Sequence, residues 1–220
     1  MRIDFRFSYQ VGKILRATLP ALILSMLTLY TMSAYSASKT ILVLGDSLSA
    51  EYGLARGEGW VSLLQKKMAA EKITVPVINA SISGETTSGG KARLPALLLK
   101  HQPAVVIIEL GANDALRGLS LAATQENLRT MIKDAKKSQA QVLLIGMQIP
   151  PNYGADYTRQ FSALFPKLAK ETKSSLVPFM LRGVADKIEF FQADRIHPAA
   201  AAHPTILNNI WPQLKPLLVK

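Results

Sequence analysis

The stretch TILVLGDSLSA, residues 40–50, ends four consecutive apolar residues, Ile41 to Leu44, on a glycine, a carboxylate and a hydroxyl. Ser47 at that point can serve as a nucleophile. A helical segment is expected to start with it, and a backbone N–H at a helix start welcomes developing negative charge. A serine there can equally be a simple helix cap. To act chemically it needs a base, and the chain holds three histidines, His101, His197 and His203. His101 lies in LLKHQPAVV, between a helix-like stretch and a strand-like one, away from the strand ends. His203 has no acidic neighbour in sequence. His197 stands in DRIHP, three residues after Asp194, and Pro198 biases it toward an extended conformation. A turn there lets Asp194 accept from Nδ1–H, which fixes the tautomer and leaves Nε2 free as base.

Acyl transfer also needs donors for an oxyanion. GAND offers the Asn113 side-chain amide on a loop after a buried run, and SGET offers Gly84, where the missing Cβ lets a backbone N–H approach a substrate. Both are also turn residues. Asp46 and Asp114 are read as bracing their own loops. GETTSGGK resembles a phosphate-binding loop but lacks its pattern, because Glu85 and Ala92 occupy positions that require Gly and Ser or Thr.

These candidates fall at the ends of apolar runs. Strands are expected at 40–45, 75–79, 105–110, 142–147 and 176–178. Between them lie amphipathic stretches such as ENLRTMIKDAKK, where Leu128, Met131, Ile132 and Ala135 recur at helical spacing. A last helix is expected near 203–218. The strands are continuous apolar runs, as when helices cover both faces of a sheet. Alternating β and α predicts a parallel three-layer α/β/α sandwich, whose ligands gather beyond the carboxyl ends of the strands. That rim receives GDSLS, SISGETT, GAND, QIPPNYG and DRIHP. Leu116, Leu119, Tyr153, Tyr157 and Phe161 fall near it, and Leu116, Tyr153 and Tyr157 are taken as a candidate substrate groove.

Residues 1–37 order a basic segment, an apolar run from Ala17 to Met32 and small residues, the pattern of a secretory leader. The apolar run is shorter than the roughly 20 residues of a membrane span. Cleavage is expected after Ser36 or Ala37, leaving residues 38–220 as one domain in the periplasm or outside the cell. The remaining 22 basic and 14 acidic residues leave a net charge of +8. Such a surplus suits anionic lipid or nucleic acid. The lysines, however, are scattered over helical stretches and read as solvated surface, so no nucleic-acid partner is expected. There is no cysteine, which excludes disulfides and thiolate metal sites.

Taken together, GDSLS with Ser47, ASISGETT with Gly84, GAND with Asn113 and DRIHP with Asp194 and His197 resemble the four blocks of the SGNH (GDSL) hydrolases, in the family's order. HQPAVVIIELGANDALRG, PPNYG and FPKLAKE resemble its bacterial thioesterase I, lysophospholipase L1 and arylesterase branch. The resemblance implies a flavodoxin-like sandwich with five parallel strands. It also implies Ser47 as nucleophile, His197 as base and Asp194 as its orienter. Ser47 N–H, Gly84 N–H and Asn113 would form the oxyanion hole, with no metal or organic cofactor. The implied substrates are esters, thioesters or lysophospholipids, handled by a monomer with peripheral lipid contact left open. A carbohydrate O-acetyl esterase and a non-catalytic lipid-binding module are the alternatives. Glu51 and the run Ala199–Ala202 depart from the branch, and Glu51 is expected to alter one wall of the groove.

Overall fold

Each apolar run becomes a strand whose length is set by where its N–H groups stop finding partners. The computed structural model describes residues 40–218, so the expected leader lies outside the described residues. The strands are β1 (Ile41–Gly45), β2 (Val77–Asn79), β3 (Val105–Glu109), β4 (Gln141–Ile145) and β5 (Ser175–Val177). All are parallel, in the order β2-β1-β3-β4-β5. Strand β2 starts two residues later than expected because Pro76 has no N–H to donate, and its carbonyl instead accepts from Ile41 N–H. Pro178 likewise falls outside β5. Strand β4 stops before Gly146, whose N–H donates to the Val177 carbonyl and where a Cβ would lie 2.3 Å from the Pro178 oxygen.

The helices are α1 (Trp60–Ala70), α2 (Thr87–His101), α3 (Ala112–Leu116), α4 (Leu121–Lys137), α5 (Ala155–Thr172) and α6 (His203–Leu218). Helices α1 and α6 pack together, and α4 packs against both α2 and α5. Strands β1 and β3 are buried along their whole length, and Leu128, Met131, Ile132 and Ala135 form the buried stripe of α4. This is the three-layer α/β/α sandwich expected from the alternation of elements. Two local expectations fail. GAND is not a loop, since Asn113 and Asp114 lie in the first turn of α3. No regular helix starts at Ser47 either; Ala50 N–H donates to the Asp46 carbonyl and a run of turns continues to Gly53.

Helix α1 is capped from outside itself. Its N-cap Gly59 has no side chain to offer. Glu51, held at φ 58°, accepts instead from Gly57 N–H, Gly59 N–H at 2.9 Å and the Ser62 hydroxyl at 2.7 Å. The buried His203 completes the cap, as Nδ1 accepts from Trp60 N–H at 3.0 Å and the other ring nitrogen meets the Pro198 carbonyl. The departures at Glu51 and in the alanine run therefore meet in one contact between α1 and α6. Ala200–Ala202 form a single 3-10 turn that delivers His203 to it.

That contact is sensitive to acid. Burial pulls the His203 pKa below its ordinary 6.5, so the unfolded chain takes up this proton before the folded one does. The contribution is intact above pH 6.5 and is lost as pH falls from there through the folded-state value. His203→Gln keeps an acceptor for Trp60 and a donor for Pro198 but does not titrate. Thermal melts from pH 7.5 downward should show a smaller acid loss of Tm in the variant than in the wild type, with the two curves separating below about pH 6.5.

Candidate active site

In a sheet of order 2-1-3-4-5 the chain reverses direction between β1 and β3, and a crevice opens beyond the carboxyl ends of those two strands. The loop after β1 carries Asp46 and Ser47 into it, and the first turn of α3, which follows β3, carries Asn113. A cavity of about 660 Å³ opens there, with Ser47, Asn113 and His197 among its lining. Its remaining walls are largely apolar, including Leu116, Met147, Ile149, Phe179, Leu181 and Ile188.

Ser47 Oγ is 3.0 Å from His197 Nε2, and His197 Nδ1 is 2.6 Å from Asp194 Oδ2. A carboxylate can only accept, so Nδ1 carries the proton and Nε2 accepts from the Ser47 hydroxyl. Asp194 also accepts the backbone N–H groups of His197 at 3.0 Å and Ile196 at 2.9 Å. Those backbone bonds, led by the His197 N–H and reinforced by the imidazole, hold its pKa down at about 2. The late loop is clamped as well. The Gln192 amide donates to the carbonyls of Tyr52 and Pro198, its backbone N–H donates to the His197 carbonyl, and the Tyr52 ring lies over the imidazole with centroids 4.3 Å apart.

On the other side, Asn113 Nδ2 donates to Asp46 Oδ2 at 3.0 Å. An amide NH₂ has two hydrogens, so one remains for a ligand. Gly84 adopts φ +77°, where an L side chain is strained, and its carbonyl accepts from Arg117 Nη2 at 2.9 Å. Gly84 is not part of the cavity wall, unlike Asn113. Asp114 does more than brace its own loop. Buried, it accepts from the Thr87 N–H and hydroxyl and from the Thr124 hydroxyl, tying α3 to the starts of α2 and α4.

The expectations for Tyr153, Tyr157 and Glu51 at the groove need correction, whereas the sequence leaves Phe161 open to either a rim or a core position. Leu116 lines the cavity, but Tyr153 and Tyr157 do not. The Tyr157 hydroxyl is turned to the carbonyls of Ala115 and Leu119, and Tyr153 is exposed on a 3-10 turn. Phe161 is core, packed edge-on against Phe165. Glu51 is absent from the wall because its carboxylate is spent on capping α1.

Sequence reasoning also missed Glu109. It closes β3, is 2 % exposed, and its Oε2 accepts from the Ser49 hydroxyl at 2.7 Å and from Asp46 N–H at 3.3 Å. The only signal was an acid terminating a run of four β-branched residues, which reads equally as a strand end. Tyr52 and Gln192 gave no signal, because their contacts are made across the fold. Among the described residues no cluster of His, Cys, Asp and Glu could hold a metal ion.

The arrangement supplies a hydroxyl bonded to an imidazole, an acid behind the imidazole, a free amide N–H and an apolar cavity. Comparison with known proteins fits it. The family model of GDSL-like lipases and acylhydrolases matches residues 43–204. The chain is 52 % identical over 199 residues to the esterase TesA of Pseudomonas aeruginosa, covering 90 % of this chain and 99 % of that one. It is 43 % identical over 207 residues to the thioesterase 1/protease 1/lysophospholipase L1 of Escherichia coli K12, covering 94 % and 96 % of the two chains. A crystal structure of TesA superposes with a TM-score of 0.79 at 53 % identity, covering 81 % of this chain and 99 % of that one. The four sequence blocks, the reversal between β1 and β3 and these matches agree, and the chain belongs to the GDSL-like lipase/acylhydrolase family, the SGNH hydrolases.

Proposed function

We propose that the protein hydrolyses carboxylic esters and thioesters through an acyl-enzyme on Ser47. The observation that carries this reading is the unbroken relay from Ser47 Oγ to His197 Nε2 and from Nδ1 to Asp194. In the first half-reaction Ser47 Oγ bonds to the acyl carbon while its proton passes to His197 Nε2. The carbonyl oxygen becomes an oxyanion held by the free Asn113 N–H together with the backbone N–H groups of Ser47 and Gly84. The bond to the leaving oxygen or sulfur then breaks as that atom takes the proton from His197. Water repeats the sequence in reverse order of roles, with His197 again as base, and regenerates Ser47. No step calls for a metal or organic cofactor.

The apolar walls of the cavity suit an acyl chain, and the names of the relatives span esters, thioesters and lysophospholipids. Fatty-acyl esters and lysophospholipids are the substrates this reading favours. Residues 1–37 are read as an export leader, and among the described residues no helix is long and apolar enough to cross a membrane. Once the leader is removed, residues 38–220 act as one domain in the periplasm or medium, as a monomer.

Ser47→Ala should abolish hydrolysis of a short p-nitrophenyl ester with an unchanged Tm, and it should no longer be labelled by an organophosphate. Asn113→Ala should lower kcat by roughly 10²–10³-fold with little change in KM. Asp194→Asn should lower kcat by about 10⁴-fold. Full activity in Ser47→Ala overturns the assignment.

Across C2 to C16 esters, kcat/KM should rise about fourfold per methylene, the equivalent of ~0.8 kcal/mol, until the cavity is filled. A strict C2 optimum would instead favour acetyl esters and remove the lipid reading. The pH profile gives a separate check. Asp194 stays ionised down to about pH 2, so its own protonation should not contribute to the acid loss of kcat/KM at milder pH. The limiting slope of the acid limb of kcat/KM should therefore be the same in Asp194→Asn as in the wild type, whereas a slope lower by one in the variant would mean that Asp194 titrates there.

A further inference from the structure

Beneath the nucleophile lies a pair of buried carboxyl groups that the reaction above does not use. Asp46 is 1 % exposed and Glu109 2 %, and the two adjoin, since Asp46 N–H donates to Glu109 Oε2 at 3.3 Å. Among the described residues neither has a cationic partner at hydrogen-bond distance. Two ionised carboxylates so placed repel each other in a medium of low polarity, so the pair retains a proton.

The hydrogen bonds around the pair say where that proton sits. The Trp60 indole can only donate, and it donates to Ser49 Oγ at 3.2 Å. The Ser49 hydroxyl hydrogen is therefore free to point at Glu109 Oε2, which lies 2.7 Å away and also accepts from Asp46 N–H. That leaves Oε1 as the oxygen of Glu109 free to carry the proton. Asp46, for its part, accepts twice from neighbours, from Leu48 N–H on Oδ1 at 3.0 Å and from Asn113 Nδ2 on Oδ2 at 3.0 Å. A proton on Asp46 would turn one of these oxygens into a hydroxyl, a poorer acceptor for the donor it already serves.

We propose that Glu109 is a positioning residue. It stays protonated at neutral pH and donates to Asp46, which keeps Asp46 a pure acceptor and aims the Asn113 amide at the acyl oxygen. This rests on the proposed role of Asn113 as an oxyanion donor. Burial first, and then the charge of Asp46, favour the protonated form of Glu109. Burial also raises Asp46, but the Leu48 N–H, the charge of His197 and the Asn113 amide oppose it. These are the groups that face the pair: Asp46 from the end of β1, His197 from the late loop, and the neutral Ser49, Trp60 and Asn113. Glycine at position 45 is what admits the arrangement, since a Cβ there would lie 2.8 Å from Glu109 Oε2 and 2.8 Å from Ser49 Oγ.

The test uses two substitutions of similar size. Glu109→Gln copies the protonated acid, with an oxygen for Ser49 and Asp46 N–H and an NH₂ for Asp46. It should keep kcat close to the wild type. Glu109→Met removes both functions and should lower kcat by about tenfold or more, part of the 10²–10³-fold effect of a whole oxyanion donor, with KM nearly unchanged. In an Asn113→Ala background Glu109→Met should have no further effect on kcat, because the two act through the same atom. Infrared difference spectra at neutral pH should show a protonated carboxyl C=O band in the wild type that is missing in Glu109→Gln.

A Glu109→Gln enzyme as impaired as Glu109→Met would mean that negative charge is required, and it would overturn the proposal. So would a band that survives in Glu109→Gln, or wild-type kcat in Glu109→Met while Asn113→Ala is impaired. If Asn113→Ala itself keeps full kcat, the oxyanion reading is what fails. Should Glu109→Met not fold, Glu109→Gln and the infrared band decide alone.

Discussion

In the register of β1 against β3, Gly45 lies directly opposite Glu109. Side chains of paired residues project on the same face of a parallel sheet, so the space that a β-carbon at position 45 would fill holds a carboxyl group instead. Everything at the crevice is built upward from this substitution of acid for methyl. Glu109 binds Ser49 and the Asp46 backbone, which fixes the turn after β1. Asp46 then reaches across the crevice to Asn113, while the next residue, Ser47, meets His197. The glycine ahead of the nucleophile is thus a packing requirement two layers beneath the reacting atoms. It also lets one loop serve both halves of the site.

The two acidic environments of the site are opposites. Asp194 sits in an exposed loop, collects backbone N–H groups and the imidazole, and stays charged. Asp46 and Glu109 sit in the sheet's carboxyl end with neutral neighbours, where charge is disfavoured. The same residue type is therefore available in two protonation regimes only a few side chains apart, sorted by solvent access and by the number of donors. The late loop is held by Gln192 and Tyr52, so the exposed partner is as well fixed as the buried one.

Much of this was legible in sequence, and for a physical reason. Continuous apolar runs mark strands buried on both faces, and polar residues at their carboxyl ends mark the rim. Ser47, Asn113, Asp194 and His197 could therefore be picked out before any coordinates. Where the readings failed, the deciding contacts join residues far apart in the chain. Glu109 and Ser49 are 60 positions apart, and Trp60 and His203 are 143 apart. Neither leaves a local pattern. Tyr153 and Tyr157 were misread because nearness to a rim loop does not fix side-chain direction. At GAND a loop and the first turn of a helix look alike in sequence, because Gly, Asn and Asp suit both. Proline explains the shifted ends at Pro76 and Pro178, and the close approach of the Pro178 carbonyl to Gly146 explains the early end of β4.

The hydroxyl and the imidazole that meet in the crevice stand 150 positions apart, with the α6 segment still to come after the second of them. A nascent chain therefore emerges with its serine early and its histidine late. Until the C-terminal loop and α6 have docked, Ser47 is an ordinary alcohol. Any activity that depends on their meeting is silent until synthesis is complete. A truncated or stalled product would hold the hydroxyl without the imidazole that activates it.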